Sequence, residues 1–402
     1  MIDHKHLIFQ PAEILLPAGN LRKWSVIACD QFTSDGEYWT EVERIVGDAP
    51  SALRLMLPEY YLGRNDEAER MAHISETMLQ YLNSDVFQAY HDSLIYVERT
   101  LSSGKVRCGL VGVIDLEAFD YSDQTNAPIR ASEHTVEDRL PPRVRVRMNA
   151  SIEMPHIMLF FDDPEHQLMK LAASSAEDTV YDFDLMGGGG HIRGARICGD
   201  SAWLLAEEAS GSGDFRFAVG DGNHSLAAAR NCWLEQKRSL PEKEWARHPA
   251  RYALVELVNI HDPGVSFEPI HRVVFQTDTK HWFSAAAERL CDPNGRPLAF
   301  LCGTESRTIP VKGNAIGEVI EHAEQFCKWY CAQYGGTLDY IHGDDETRYL
   351  SQPDGCCGIL FPKMKKAELF HSVAQTGPFP KKSFSIGLGT DKRYYLECRK
   401  IK

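Results

Sequence analysis

The sequence has no apolar run long enough to cross a membrane, and its start, Met1-Ile2-Asp3-His4-Lys5-His6, lacks the apolar centre of a secretory signal. Membrane insertion and secretion are therefore not expected. Positive charge is also short: 43 Lys and Arg face 57 Asp and Glu, for a formal net charge of −14. Nucleic-acid binders usually carry a basic stripe and a high pI. The densest basic patch here, Arg143-Val144-Arg145-Val146-Arg147, alternates like a strand instead of clustering, so nucleic acid is not expected as a partner. There is no C-x-x-C pair. The eleven cysteines are odd in number and irregularly spaced, and several, such as Cys29 in Val26-Ile27-Ala28-Cys29, sit in apolar runs. That usage suits reduced thiols in a cytoplasmic protein rather than a disulfide framework. Cys327 and Cys331, and the adjacent Cys356 and Cys357, lack the paired spacing of a zinc centre. Neither G-x-S-x-G nor HExxH occurs, which removes the motif-level signs of a serine hydrolase and of a zincin.

What is present is ordinary globular material: 402 residues, 43% hydrophobic and 25% charged. Apolar periodicity predicts an α/β fold. Helices are expected from Tyr38 to Val46, over 65–82, after Ser225 and over 317–333. Strands are expected at Trp24–Cys29, in a hairpin around Ser102-Ser103-Gly104, at Ile157–Phe161, Phe215–Val219, Tyr252–Ile260, Pro269–Phe275 and Gly358–Phe361, with a closing hairpin in the tail. Arg130–Thr135 reads as helical. A polar stretch near 276–282 suggests a soft boundary, dividing the chain into 1–278 and 279–402.

Chemistry concentrates where a strand runs into Gly220-Asp221-Gly222-Asn223-His224-Ser225 and then into a helix. The first N–H groups of a helix have no intrahelical partner, and the macrodipole adds partial positive charge there, so an anionic phosphate is a natural occupant. Gly220 and Gly222 let the backbone approach closely. Asn223 or Ser225 can cap the empty helix, His224 can donate to a phosphate or move a proton, and Asp221 can hold a metal ion or accept a proton. The same residues also suit a plain tight turn with a helix cap, and spacing alone does not choose. The run Gly187–Gly190 lacks the Lys-Ser/Thr ending of a P-loop and fits either a ligand loop or a hinge. Glu133 suits a general base or a solvated helix start. Asp30 follows a buried strand, where open α/β sheets often place ligand groups. His271 and Arg272 suit an anion site or a salt-bridged strand. Lys381 and Lys382 read as a solvated pair, and Thr390–Arg393 as a turn.

Several of these segments resemble one family. Val219-Gly220-Asp221-Gly222-Asn223-His224-Ser225-Leu226-Ala227 is similar to the D-G-H-H-R-x-x-A element of the domain-of-unknown-function family numbered ten-fifteen. Ser132-Glu133-His134-Thr135 resembles its H-E-x-T element. Asp262-Pro263-Gly264 and Pro269-Ile270-His271-Arg272 resemble its D-P-G and P-T-H-R elements, and Pro380-Lys381-Lys382-Ser383 its P-x-K-S element. The resemblance runs from about residue 20 to the C-terminus. It implies a mixed α+β, ParB/sulfiredoxin-like core with a mixed sheet and a smaller C-terminal α/β region. It further implies kinship with nucleotide-dependent free serine kinases.

From that resemblance the expected activity is transfer of phosphate to a small hydroxyl-bearing metabolite, with ATP or ADP as donor and Mg²⁺ between the phosphates. A related hydrolase acting on a phosphorylated small molecule would use the same parts, and a nucleotide- or metabolite-binding regulator without turnover is the alternative from another class. Catalytic roles would fall to Glu133, Asp221 and His224, with Asp221 also the metal ligand. Phosphate contacts would come from Gly220, Gly222, Asn223, Ser225, His271 and Arg272, and substrate contacts from Asp30 and Arg130. Expected partners are the nucleotide and the metabolite, and a homo-oligomer is left open. Two positions depart from the family: Asn223 replaces its first histidine, and Ser225 replaces an arginine that would clamp phosphate with two hydrogen bonds. His271 and Arg272 are the expected substitutes for the missing charge. Sulfiredoxin chemistry is disfavoured, because Asn223 stands where those relatives carry their cysteine.

Overall fold

The computed structural model describes residues 7–29, 32, 35–154, 156–211 and 213–402. Among these the fold is mixed α and β, and two large sheets organise it. The first has eleven strands. Its spatial order is Phe119–Asp120, Ile129–Ala131, Phe217–Asp221, Met158–Phe161, Tyr252–Asn259, Val106–Asp115, Phe87–Thr100, His191–Cys198 and Thr179–Asp184, with Phe9–Gln10 and Ala12–Pro17 paired alongside. Tyr252–Asn259 is central and buried along nearly its whole length, which fits a sequence that is apolar apart from Glu256 and Asn259. It runs parallel to Met158–Phe161 and antiparallel to Val106–Asp115, so the sheet is mixed.

The second sheet has six strands. Glu305–Val311, Cys291–Cys302, Cys357–Leu360, Phe267–Phe275 and Thr337–His342 follow one another, and Phe384–Ile386 pairs with the start of Phe267–Phe275. The helices Trp282–Leu290 and Ile316–Tyr334 cover it through a cluster of rings. Trp282 meets Tyr330 edge-on at 4.8 Å and Phe326 at 5.1 Å. The two sheets share one core, in which Met158, Phe160 and Ala218 from the first pack with Phe267, Phe361 and Phe384 from the second. The strands change sheet between Asn259 and Phe267, ahead of the boundary near 278 that composition suggested. The tail then returns to the first sheet: Tyr395 bridges Val26, Cys398 bridges Leu15, and Arg399–Lys400 pairs with Ile152–Glu153.

Most predicted elements form, within a few residues at each end, and four do not. Arg143–Arg147 lies in the helix Leu140–Asn149, not in a strand, because Pro141 and Pro142 preset the helical backbone of its first turn. Arg130 lies in the strand Ile129–Ala131, and the following residues run extended to an isolated bridge between Glu133 and Phe379. Trp24 closes a short helix, Leu21–Trp24, capped by the Asn20 side chain. The tail forms no hairpin with itself, since its partners are Val26 and Leu15. Gly187–Gly190 is the turn of the hairpin Thr179–Asp184/His191–Cys198, with Gly187, Gly188 and Gly190 at positive φ. That placement gives the glycine run a conformational role. No helix among the described residues is long and apolar enough to cross a membrane.

Candidate active site

The strand Phe217–Asp221 lies between Ile129–Ala131, to which it is parallel, and Met158–Phe161, to which it is antiparallel. Its register with Met158–Phe161 slips between Val219 and Asp221. Gly220 sits at the slip, and a Cβ there would come within 2.5 Å of the Phe160 ring. Gly222 then turns the chain at φ +83° and serves as N-cap of the helix Asn223–Lys237. No side chain caps this helix start. Leu226 N donates to Gly222 O at 3.0 Å. This helix start, with the whole of Gly220–Ser225 and with Glu133, lines a cavity of about 620 Å³; the first amides of a helix lack intrahelical partners and suit an anion.

Glu133 is half-buried on the cavity wall. Its Oε1 accepts from the Ser383 amide at 3.2 Å. Burial pushes its carboxyl up to about 7; Lys392 and the amides of Ser383 and Phe384 pull the other way, and nearby Asp221 adds to the rise. A carboxyl at that value exchanges protons readily at neutral pH.

Asp221 accepts from the Gly222 amide at 2.9 Å through Oδ1 and meets Lys392 Nζ at 3.2 Å through Oδ2. His224 Nε2 accepts the Val136 amide at 3.1 Å, so that nitrogen carries no proton and serves to fix the ring. Ser225 Oγ lies 3.2 Å from His156 Nε2. His156, packed on the Tyr395 ring at 5.1 Å, is driven down to about 4 by burial, against the pull of Asp221. Asn223 Oδ1 is buried without a hydrogen-bond partner. For an amide oxygen at the wall of a polar cavity, that is an acceptor held ready for a donor.

The positive charge comes from residues whose role the sequence hid. Lys392 follows a short turn, Gly389–Asp391. The Asp391 carboxylate accepts from the Ser102 amide and hydroxyl, both at 2.9 Å, while Arg107 donates to the Asp391 carbonyl at 2.9 Å. Lys382 sits at φ +57°, with its Nζ 5.2 Å from the centre of the Tyr340 ring. Arg143 reaches the cavity wall from the helix Leu140–Asn149. The positive field of these groups is felt by their neighbours: burial first, then Lys382 and Lys392, lower the pKa of His342. Lys382 is exposed, as expected, but also lines the cavity, and Lys392 beyond the turn does so too. A local reading hides both, because their cavity partners lie far away in sequence.

Three expected residues stand apart from this cavity. His271 is buried between Asp344, 3.0 Å from its Nε2, and the Phe361 amide, which donates to Nδ1 at 3.1 Å. Arg272 is fully buried. Its Nε binds Glu324 at 2.6 Å, its Nη1 donates to Ile270 O and Lys382 O, and its guanidinium lies 4.5 Å from the Tyr340 ring centre. It stands behind the wall that carries Tyr340 and Lys382. Arg130 donates to Ala127 O at 2.8 Å and Asp214 O at 3.2 Å and covers the Phe215 ring. Asp30 lies outside the described residues. Among the described residues no cluster of three or more His, Cys, Asp or Glu side chains could by itself hold a metal.

A family model described as "Protein of unknown function (DUF1015)" matches residues 10–400. The chain belongs to the DUF1015 family. No curated protein matches this DUF1015 chain. Among solved structures it is similar to a mutant free serine kinase in complex with AMP, with TM-score 0.40 and 13% identity, over 74% of this chain and 93% of that one. It is similar to a conserved hypothetical protein from Pyrococcus furiosus, with TM-score 0.36 and 12% identity, over 74% and 97%. It is also similar to C-terminally truncated SbnI from Staphylococcus aureus, with TM-score 0.37 and 13% identity, over 69% and 83%. Likenesses this distant transfer neither a ligand nor a residue's role to the DUF1015 chain.

Proposed function

We propose that this protein transfers a phosphoryl group from a nucleotide to the hydroxyl of a small metabolite. The observation that carries the reading is one cavity holding both an uncapped helix N-terminus and a carboxyl poised near neutrality, Glu133. Phosphates would lie at the helix start Asn223–Ser225, with Lys392, Lys382 and Arg143 balancing their charge. Glu133 would take the proton of the acceptor hydroxyl as the new P–O bond forms. His224 would fix the loop, and Asn223 Oδ1 would accept from a donor on the substrate. His156, neutral at working pH, would hold Ser225 in place.

Mg²⁺ commonly binds through one or two carboxylates, with substrate phosphates and water completing its shell. Asp221 would be its protein ligand, exchanging the Lys392 contact for the ion, and the chemistry supplied would be neutralisation of phosphate charge. The ParB/sulfiredoxin-like core implied by the resemblance would correspond to the first sheet. Free serine is the first acceptor to test. Purified protein is incubated with ATP or ADP, Mg²⁺ and serine or a pool of hydroxyl metabolites, and products are read by mass spectrometry. A phosphorylated product that disappears with Glu133→Gln supports the reading. Nucleotide binding with no product from any acceptor would favour a regulator, the second reading, to which the replacement of the family's arginine by Ser225 lends support.

A further inference from the structure

The cavity has two chemically different ends. Gly220–Ser225, Glu133 and the cations make one. The other is built from the first eighty residues: Trp39 and Met78 from two helices, and Leu55, Leu57, Pro58 and Leu62 from the segment between them. This segment runs from the short helical turn Ala52–Leu55 through unpaired chain to a second turn, Glu59–Tyr61, so its apolar side chains line a concave wall. Leu57 and Leu62 remain partly exposed there, whereas Trp39, Leu55 and Met78 are core residues behind them. A concave apolar wall open to water is unfavourable until something apolar covers it. Continuity with a cationic end asks for one ligand that carries both an anion and an apolar body.

Two observations narrow that body to a flat aromatic one. Met56 and Met154 add thioethers to the same wall as Met78, and sulfur packs favourably against aromatic edges. Among the described residues, the polar groups near this wall are engaged elsewhere. The Trp39 Nε1 proton is donated to Phe32 O at 2.9 Å, Arg147 and Glu153 are paired with each other at 2.6 Å, and the rest of the named wall is aliphatic or thioether. We propose that the apolar end of the cavity receives the aromatic base of a nucleoside phosphate and holds it by packing, with little discrimination between bases. The proposal rests on the phosphate reading of the Gly220–Ser225 end and adds the part of the ligand that reading leaves unplaced. A π-face is common to every base, so packing alone tolerates them all.

The test is calorimetric binding of ATP, GTP, CTP, inorganic tripolyphosphate and octyl phosphate to the full chain. The three nucleotides should bind within about fivefold of one another, and tripolyphosphate at least tenfold more weakly. Leu57→Asn should weaken all three nucleotides and leave tripolyphosphate affinity unchanged. The unchanged affinity for tripolyphosphate also certifies that the variant is folded, and Leu62→Asn repeats the measurement at a second position. Tripolyphosphate binding as tightly as ATP, with both variants silent, would overturn the base site while leaving the phosphate end intact. So would octyl phosphate matching ATP, which would mark an aliphatic ligand, or one nucleotide exceeding the others by fiftyfold, which would show that the base is read. If no phosphate compound binds, both the base site and the phosphate reading fall.

Discussion

Lys392 and Asp221 meet at 3.2 Å in the cavity although 171 positions separate them in sequence. On the proposed function the lysine would turn toward phosphate and the aspartate toward Mg²⁺. Replacing Lys392 by methionine keeps the length of the side chain and removes its charge. A charge-assisted hydrogen bond contributes roughly 1.5–3 kcal/mol, so ADP or pyrophosphate should bind about tenfold or more weakly. Lys381→Ala, exposed and outside the cavity lining, should leave affinity within about twofold. Calorimetry at two salt concentrations reads both variants, and cavity contacts should be the less screened. Equal affinity of wild type and Lys392→Met would remove Lys392 from the site.

Glu133 makes activity and stability move in opposite directions with pH. In the proposed reaction its ionised form would be the base, so kcat/KM should rise as pH passes through about 7 and level off above. The folded protein holds this proton up to about 7, whereas the unfolded chain releases it near the ordinary glutamate value of 4.5. Between those values the folded state binds more protons, so this group's contribution to stability declines as pH rises across that window. Glu133→Gln should therefore lose about 10²-fold or more in turnover and gain stability at pH 8, by up to about 3 kcal/mol, with little gain at pH 4.5. Denaturant unfolding at the two pH values checks this, and an equal gain at both would refute it.

Arg272 supports the fold through Glu324 and holds Lys382 through its carbonyl. Arg272→Ala leaves the buried Glu324 carboxylate with only Lys328 at 3.2 Å and the Tyr340 hydroxyl at 2.7 Å, and should cost up to about 3–5 kcal/mol of stability. The pair Arg272→Met with Glu324→Leu removes both charges and should recover part of that loss. Chemical denaturation of the two variants decides the matter. If the double variant proves no more stable than the single, the stranded charge is not the cause.

Gly222→Ala tests the turn itself. At φ +83° an L-residue is strained, and the added Cβ would lie 3.0 Å from Ile157 Cγ1. The expected cost is about 1–2 kcal/mol, accompanied by weaker phosphate binding as the helix start shifts. Thermal unfolding and pyrophosphate titration measure the two effects. A variant as stable as wild type would show that the turn tolerates a side chain.

The strand, turn and helix start at Phe217–Lys237 were legible in the sequence because consecutive residues carry them. Phe217–Asp221 alternates into two glycines and then into an alanine-rich helix, and that order of residue types forces a strand, a sharp turn and a helix start. Glu133 was legible through its likeness to a family element. His271 and Arg272 looked ligand-like because a basic pair at a strand start says nothing about which side it faces. Register decides that, and the register pairs Arg272 with Tyr340 and Ile359 in the second sheet. Lys382 and Lys392 were obscured for the opposite reason. Each sits among polar neighbours that look solvated, and only long-range contacts reveal the cavity: Arg272 to the Lys382 carbonyl, and Ser102 to Asp391. The helix Leu140–Asn149 was misread because alternation of Arg and Val mimics a strand, while two prolines in its first turn favoured the helix.

The order in which the site is synthesised follows from the return of the tail. Glu133, His156 and Asp221 leave the ribosome long before Lys392 does. Until then the anchors Ser102 and Arg107 lack Asp391, and Asp221 lacks its counter-charge. Domains on a growing chain fold as units, earlier ones first, so the phosphate end of the cavity stays incomplete while most of its walls exist. A nascent chain would consequently carry the loop and the base-sized recess yet hold nucleotides poorly. Competence to bind would arrive only once Lys392 has emerged and docked, which makes ligand retention by ribosome-bound chains a direct report of translation past that residue.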